Sequence, residues 1–252
     1  MNMLRFIDCN CMVGLPATAH EFKICLPDEI EYIERKFGIT ASYAYHIAAF
    51  DLHPIDGNHA IDTVCESNSF FRPVWVLLPN DTGEFYDPPE LMLRMKQHSV
   101  QMARIFPRYN DHGFLISTWS CGTLINELAE AGMPLLMDAE QAEWDQINTL
   151  MSAFPKLKLI ITNLYYRYGR IMLSLMKRHK NLFCETSGLR SFELLQTFCE
   201  SVGVTQLVFG TGMGLYSAGS AVSMITYARI QQEEKEAIAN GNLCRILETD
   251  VD

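Results

Sequence analysis

The sequence alternates short apolar runs with longer segments in which apolar residues recur every three or four positions. This order is typical of parallel strands joined by amphipathic helices. We predict eight strands, over residues 4–9, 40–46, 73–78, 102–106, 134–138, 157–162, 181–185 and 206–210. We predict helices over residues 28–37, 89–98, 121–131, 141–154, 170–179, 192–202, 220–229 and 232–239.

Eight strands that alternate with helices in 252 residues match the size of a (β/α)8 barrel. The alternative, a doubly wound sheet, requires a glycine-rich turn after its first strand. Residues 10–14 lack that spacing, and the glycines of 210–214 come too near the end of the chain to open a βαβ unit. We therefore predict the α/β class and one TIM-barrel domain over residues 1–252, with irregular insertions at 51–58 and 80–89.

Composition narrows the classes of partner and compartment. Thirty acidic and twenty basic residues give a net charge of −10, without a basic cluster, so we expect no nucleic-acid or membrane partner. Because no apolar run reaches 18 residues and no signal peptide is recognisable, we expect a cytoplasmic protein. The eight cysteines contain no Cys-x-x-Cys pair, which favours reduced thiols.

In a barrel the active site lies at the carboxyl ends of the strands, so polar residues that follow the apolar runs are the candidates. Strand alternation predicts that Asp8, Asn10 and Met12 share one face, which we expect to be the barrel interior. Cys9 and Cys11 then face the helices.

Several stretches resemble the amidohydrolase-related barrels. Residues 7–12 look like a first strand that ends in Asp-x-His-x-His, and residues 134–138 and 159–163 resemble the fifth and sixth strands, each of which ends in His. Residues 207–213 resemble the eighth strand with its Phe-Gly-Thr-Asp, and residues 242–247 resemble an Asn-x-x-Arg-Leu-Leu ending. The resemblance covers nearly the whole chain. It implies an amidohydrolase-like barrel that hydrolyses or decarboxylates a small amide, lactone or carboxylate.

The resemblance also implies where a catalytic metal would bind. Those positions hold Asn10, Met12, Asp138, Asn163 and Gly212 in this chain. Zinc and similar ions prefer carboxylate, imidazole or thiolate ligands, and of the five residues only Asp138 supplies one. We therefore expect a divalent cofactor such as Zn²⁺ or Mn²⁺ to be disfavoured, although carboxylates can still hold a harder ion.

Without a metal, the candidate catalytic residues are Asp138, Glu140, Glu185 and His46. Paired carboxylates serve as general acid and base, and histidine titrates near neutral pH. The structural alternative is that His46 is a hydrogen-bonded core residue. In the same reading each carboxylate pairs with an arginine, namely Arg104, Arg108 or Arg190.

The candidate substrate-binding residues are Arg104, Asn10, Asn163, Gly212 and Gly214. Arg104 suits a carboxylate, which a guanidinium binds with two parallel hydrogen bonds. The two glycines lie in a turn before a predicted helix, where backbone N–H groups bind anions. Alternatively, they only ease a tight turn.

Two functions follow from these expectations. The first is an amidohydrolase-related hydrolase or decarboxylase of a small amide, lactone or carboxylate, without the usual zinc site. The second is a catalytically inactive barrel that binds a small anionic ligand, as a pseudoenzyme or regulatory binder. Either function implies a small-molecule partner, and a homo-oligomer is compatible with both.

Overall fold

The computed structural model describes residues 4–17, 25–190 and 193–249. Eight strands form one sheet in the order β1 to β8, and every neighbouring pair is parallel. The predicted (β/α)8 barrel is confirmed. The strands are β1 Phe6–Val13, β2 Ile39–His46, β3 Phe71–Val76, β4 Met102–Arg104, β5 Leu135–Asp138, β6 Leu159–Thr162, β7 Leu182–Glu185 and β8 Leu207–Val208.

The sheet closes between β1 and the residues that follow β8. The Cys9 N–H donates to the Phe209 carbonyl over 3.2 Å, and the Met12 N–H donates to the Met213 carbonyl over 3.3 Å. Runs such as 159–162 are apolar along most of their length and buried at every position. This is expected of parallel strands, which are covered by side chains inside the barrel and by helices outside it.

Helices connect the strands and surround the barrel. They are α1 Pro27–Lys36, α2 Ala48–Asp51, α3 Pro54–Ser67, α4 Pro88–Gln97, α5 Gly122–Glu130, α6 Trp144–Ala153, α7 Gly169–Arg178, α8 Leu194–Val202, α9 Ala218–Thr226, α10 Gln232–Glu236 and α11 Asn242–Leu247. Residue 192, where one predicted helix begins, lies outside the described residues. None of the helices described is both long and apolar enough to cross a bilayer.

The sequence did not predict α3, and the insertion expected at 51–58 is wrong because residues 54–58 are helical. The buried face of α3 includes Gly57, Asn58 and Asp62, so it lacks the apolar period that marks a helix. Asn58 replaces apolar packing with two hydrogen bonds to the backbone of Val76, at 2.8 and 2.9 Å. The Trp75 indole N–H donates to Asp62 over 2.9 Å.

Candidate functional site

The carboxyl ends of the strands bring polar side chains from distant parts of the chain into one buried network. Its centre is Asn10 on β1. The Asn10 amide donates to Glu185 on β7 over 3.0 Å and to Asn163 over 3.3 Å. Its carbonyl oxygen accepts from Arg104 on β4 over 2.9 Å. The network therefore spans the barrel from β1 to β4 and β7.

Arg104 is 1% exposed and forms an ion pair with Asp138 at the end of β5. Its Nη2 donates to Asp138 and, over 3.3 Å, to the Thr162 hydroxyl, which itself donates to Asp138. The guanidinium also lies 4.7 Å from the Tyr45 ring centroid and 5.0 Å from that of Phe106. Such cation–π contacts partly offset the cost of burying a charge.

Glu185 is fully buried, and burial raises the pKa of its carboxyl group to about 7. Hydrogen bonds from Ser187, through its backbone N–H and its hydroxyl, oppose this rise, as does the bond from Asn10. The Asn163 N–H adds a weak contact of 3.4 Å. Glu185 therefore exchanges its proton near neutral pH, as a general acid or base must.

Asn163 links this buried network to the surface above it. Its backbone adopts φ +52°, a left-handed conformation that asparagine tolerates better than most residues. Non-glycine residues in this region often cluster at functional sites, where the surrounding structure holds them in place.

A cavity of about 810 Å³ lies above the network, with Asp138 and Asn163 in its wall. Aromatic rings and polar groups contribute the rest of the lining. The lining residues are Phe50, Asp51, Leu52, Phe106, Arg108, Asn110, Asp111, His112, Asp138, Glu140, Gln141, Asn163, Tyr165, Leu215 and Tyr216. A volume of this size accommodates a small organic molecule.

The structure separates the four predicted catalytic residues. Asp138 and Glu185 belong to one network through Arg104 and Asn10, whereas Glu140 is exposed at the cavity wall. His46 is not among the residues that line the cavity.

The environment of His46 matches the structural alternative. Its Nδ1 accepts from the Ala48 N–H over 3.2 Å, and its ring packs so closely on Gly14 that a Cβ there would lie 2.4 Å from Nε2. Burial lowers the pKa of His46, which favours the neutral imidazole at pH 7.

The predicted substrate-binding residues also divide. Arg104 meets a carboxylate, but it is that of Asp138 within the chain. Asn163 lines the cavity, and Asn10 lies beneath it. Gly212 and Gly214 do not line the cavity. Leu215 and Tyr216, which follow in the same segment, do.

Comparison with known proteins gives no sequence relative. No family model and no curated protein matches the chain. Solved structures match in shape at low identity. The 2,6-dihydroxybenzoate decarboxylase from Rhizobium is 12% identical with a TM-score of 0.78, over 98% of this chain and 99% of that one. A dihydroxybenzoic acid decarboxylase from Polaromonas sp. JS666, with bound manganese and 2-nitroresorcinol, is 12% identical with a TM-score of 0.76, over 98% and 97%. An amidohydrolase II is 11% identical with a TM-score of 0.74, over 96% and 99%.

The fold is the amidohydrolase-like barrel. This agrees with the resemblance of the strand ends. Identities this low establish the fold alone, so the chemistry of the chain must be argued from its own residues.

The five positions at which the resemblance implies metal ligands do not fit a metal ion in this chain. Asn10 and Asp138 are hydrogen-bonded to Arg104, and Met12 packs on Gly214, where a Cβ would lie 2.6 Å from the methionine methyl group. Gly212 has φ +60°, and a Cβ there would lie 2.6 Å from Tyr216 and 2.8 Å from the Ser187 hydroxyl. An aspartate at position 212 would therefore have no room. The five residues include one carboxylate, that of Asp138, and it is already paired with the Arg104 guanidinium.

A bulge in β1 corrects the predicted alternation. Asp8 pairs with Ser42 and Cys11 with Ala44, so three residues of β1 span two of β2. Asp8 and Cys11 consequently lie on the same side, near Glu34 of α1, with ligand atoms of all three within 4.8 Å of one another. Asp8 does not share the inward face of Asn10 as predicted.

Asp8 and Glu34 form a structural carboxyl pair behind β1. Asp8 accepts from the backbone N–H groups of Asn10 and Thr211, each over 2.8 Å, and from the hydroxyl groups of Thr211 and Ser42. Burial raises the pKa of both carboxyl groups, and that of Glu34 is raised well above its usual value. Glu34 also lies 3.4 Å from the Thr211 hydroxyl, so the pair ties α1 to the ends of β1 and β8.

Part of the cavity wall consists of residues that were not among the predicted site residues. Asn110, Asp111 and His112 follow β4 in one loop, and the polar run before Gly113 was the signal that could have located them. Burial lowers the pKa of His112, so its imidazole is neutral at pH 7. Tyr216 stacks on Arg190, whose guanidinium lies 3.4 Å from the ring centroid, a contact between distant segments that no local pattern indicates.

Proposed function

We propose that this barrel binds a small, hydroxylated aromatic acid in the 810 Å³ cavity and does not carry out metal-dependent hydrolysis. The observation that carries the proposal is the closed network below the cavity. Arg104 donates to both Asn10 and Asp138, so the groups that would hold a metal instead form a fixed polar floor.

The lining indicates the ligand. Phe50 and Phe106 pack edge to face with centroids 4.8 Å apart, and Tyr216 adds a third ring, so the wall suits a planar apolar body. Asp138 and Asn163 provide hydrogen-bond partners for hydroxyl groups at the floor. Two decarboxylase structures of the same fold hold 2,6-dihydroxybenzoate and 2-nitroresorcinol, which are molecules of this shape.

Arg108 is the residue that binds the acidic group of the ligand in this proposal. It is the one arginine among the described residues that line the cavity, and its side chain is exposed at the wall. Several carboxylates share the lining, and these disfavour a ligand that carries more than one negative charge. A monoanion therefore suits the cavity better than a dicarboxylate.

The test is a thermal-shift panel of 2,6-dihydroxybenzoate, resorcinol and a benzene dicarboxylate on the chelator-treated protein. We expect the largest stabilisation from 2,6-dihydroxybenzoate. Tyr216→Leu should reduce this shift, whereas Tyr32→Leu, a change of an exposed tyrosine on α1, should leave it unchanged. No shift with any compound, or equal shifts in both variants, would contradict the proposal.

A second function is metal-independent decarboxylation or hydrolysis of the same class of acid, which the raised pKa of Glu185 favours. In decarboxylation the bond between ring and carboxyl carbon breaks, carbon dioxide leaves, and the ring carbon takes a proton. Glu185 is the acid in the network whose pKa lies near 7; it does not line the cavity itself but lies 3.4 Å behind the backbone N–H of Asn163, which does. Turnover that persists in chelator and disappears in Glu185→Gln would support this function, whereas turnover that needs added metal would exclude it.

A further inference from the structure

The barrel interior carries a fixed positive charge at the site of its buried carboxylates. Arg104 is the one positively charged side chain that is buried among the described residues. It lies at the end of β4, next to Asp138 and one hydrogen-bonded step from Glu185 through Asn10. Two carboxyl groups, those of Asp138 and Glu185, therefore share this region with one permanently charged guanidinium.

We propose that the Arg104 guanidinium is a tethered cation that takes the place of a divalent metal ion in this barrel. It contacts Asn10 and Asp138, two of the five positions at which the resemblance places metal ligands, and Asn10 links it to a third, Asn163. The inference rests on the same Arg104 network as the proposed function, but its test measures cation binding and not what the cavity binds, so the two can fail separately.

A guanidinium and a metal ion differ in the chemistry that they supply at such a site. Both neutralise carboxylates, but the guanidinium acts through N–H donors in one plane and offers no coordination position for water or substrate. Arg104 also lies against the rings of Tyr45 and Phe106. Its Nε has no hydrogen-bond partner, so the side chain is positioned by its two terminal nitrogens and by these ring contacts.

Removal of the guanidinium should reveal a latent cation site. The space it leaves would be bordered by the oxygens of Asp138, Asn10 and Thr162, which accept or share its hydrogen bonds. Carboxylate, amide and hydroxyl oxygens are ligands for hard divalent cations such as Mn²⁺. A free guanidinium ion should fit the same space.

The experiment compares the wild-type protein, Arg104→Ala and the double variant R104A/D138N by calorimetric titration with Mn²⁺ and, separately, with guanidinium at non-denaturing concentration. We expect Arg104→Ala to bind Mn²⁺ at one equivalent, at least about a hundredfold more tightly than the wild type does. The double variant should lose most of this gain. A folded Arg104→Ala protein that gains affinity for neither cation would overturn the proposal, as would one equivalent of Mn²⁺ on the wild type that Asp138→Asn abolishes.

If Arg104→Ala does not fold, the charge balance is tested by comparing the stabilities of two other variants. R104M/D138N removes both charges of the pair, and we expect it to fold or to be clearly more stable than Arg104→Met. Equal failure of both variants, by circular dichroism and urea unfolding, would overturn the proposal, because the guanidinium would then matter for its shape and not for its charge.

Discussion

Arg104 and Asp138 form an ion pair across the ends of two neighbouring strands, β4 and β5, with the arginine almost entirely buried and the aspartate open to the cavity on one side. The backbones pair in register, with Arg104 opposite Leu136. This relationship defines the candidate site, because it commits the one carboxylate among the five metal positions to a partner within the chain.

Asp138→Asn should destabilise the protein by about 2 to 4 kcal/mol, because the buried guanidinium loses its counter-charge. The measurement is the free energy of unfolding in urea. Glu140→Gln, two residues further along the chain and exposed, is the control and should change stability by less than about 0.5 kcal/mol. Similar values for both variants would show that the ion pair does not stabilise the fold.

Glu185 should make stability depend on pH. Its pKa rises from 4.5 to about 7 on folding, so the folded protein binds the proton more tightly than the unfolded chain does. This contribution is fully present below about pH 4.5 and is lost as the pH rises through about 7. Over that range the loss is about 3 kcal/mol.

The check is the difference in unfolding free energy between the wild type and Glu185→Gln across pH 4.5 to 8. The difference should change along this range, whereas Glu140→Gln should follow the wild-type profile. Asp8 and Glu34, whose pKa values are also raised, are present in every variant, so the difference reports Glu185 together with its coupling to Asp8. A flat difference would mean that Glu185 titrates as it does in the unfolded chain.

Gly212→Ala should be more destabilising than Gly83→Ala. Both glycines have positive φ, but a Cβ at position 83 meets nothing within 4 Å, whereas one at 212 would clash with Tyr216 and Ser187. The positive φ alone costs about 1 kcal/mol, and the clash adds about 1 to 3 kcal/mol. Equal losses in urea unfolding would show that the turn relaxes and that position 212 has room for a larger side chain.

The sequence predicted the strand order and the barrel because parallel strands are buried on both sides and stand out as apolar runs. It did not predict α3, since the buried face of that helix is made polar by Asn58 and Asp62. The bulge in β1 was equally invisible, because its register depends on hydrogen bonds to β2 and not on the local pattern.

Within the candidate site, the sequence offered an arginine as a partner for Asp138 but did not indicate which of Arg104, Arg108 and Arg190 it is. The partner is set by which strands lie side by side. Arg104 at the end of β4 contacts the ring of Tyr45 on β2 and pairs with Asp138 on β5, so three strand ends that are far apart in sequence meet there. The loop with Asn110, Asp111 and His112 is a different case, because its polar run before Gly113 is visible in the sequence.

Asn58→Ala should cost about 2 to 3 kcal/mol, because it leaves the N–H and the carbonyl of Val76 without their partner in a buried region. Thr63→Ala on the same helix removes a hydroxyl that bonds only to its own helix, and should have a small effect. Comparable losses in the two variants would mean that Asn58 does not anchor α3 to β3.

The central claim is that the cavity binds a small hydroxylated aromatic acid above a floor that needs no metal. Its most direct test is calorimetric titration of 2,6-dihydroxybenzoate into chelator-treated wild-type protein, followed by chromatography of the recovered ligand. We expect saturable binding at one equivalent and a ligand recovered unchanged. Absence of binding, or release of resorcinol and carbon dioxide that stops when metal is removed, would contradict the account.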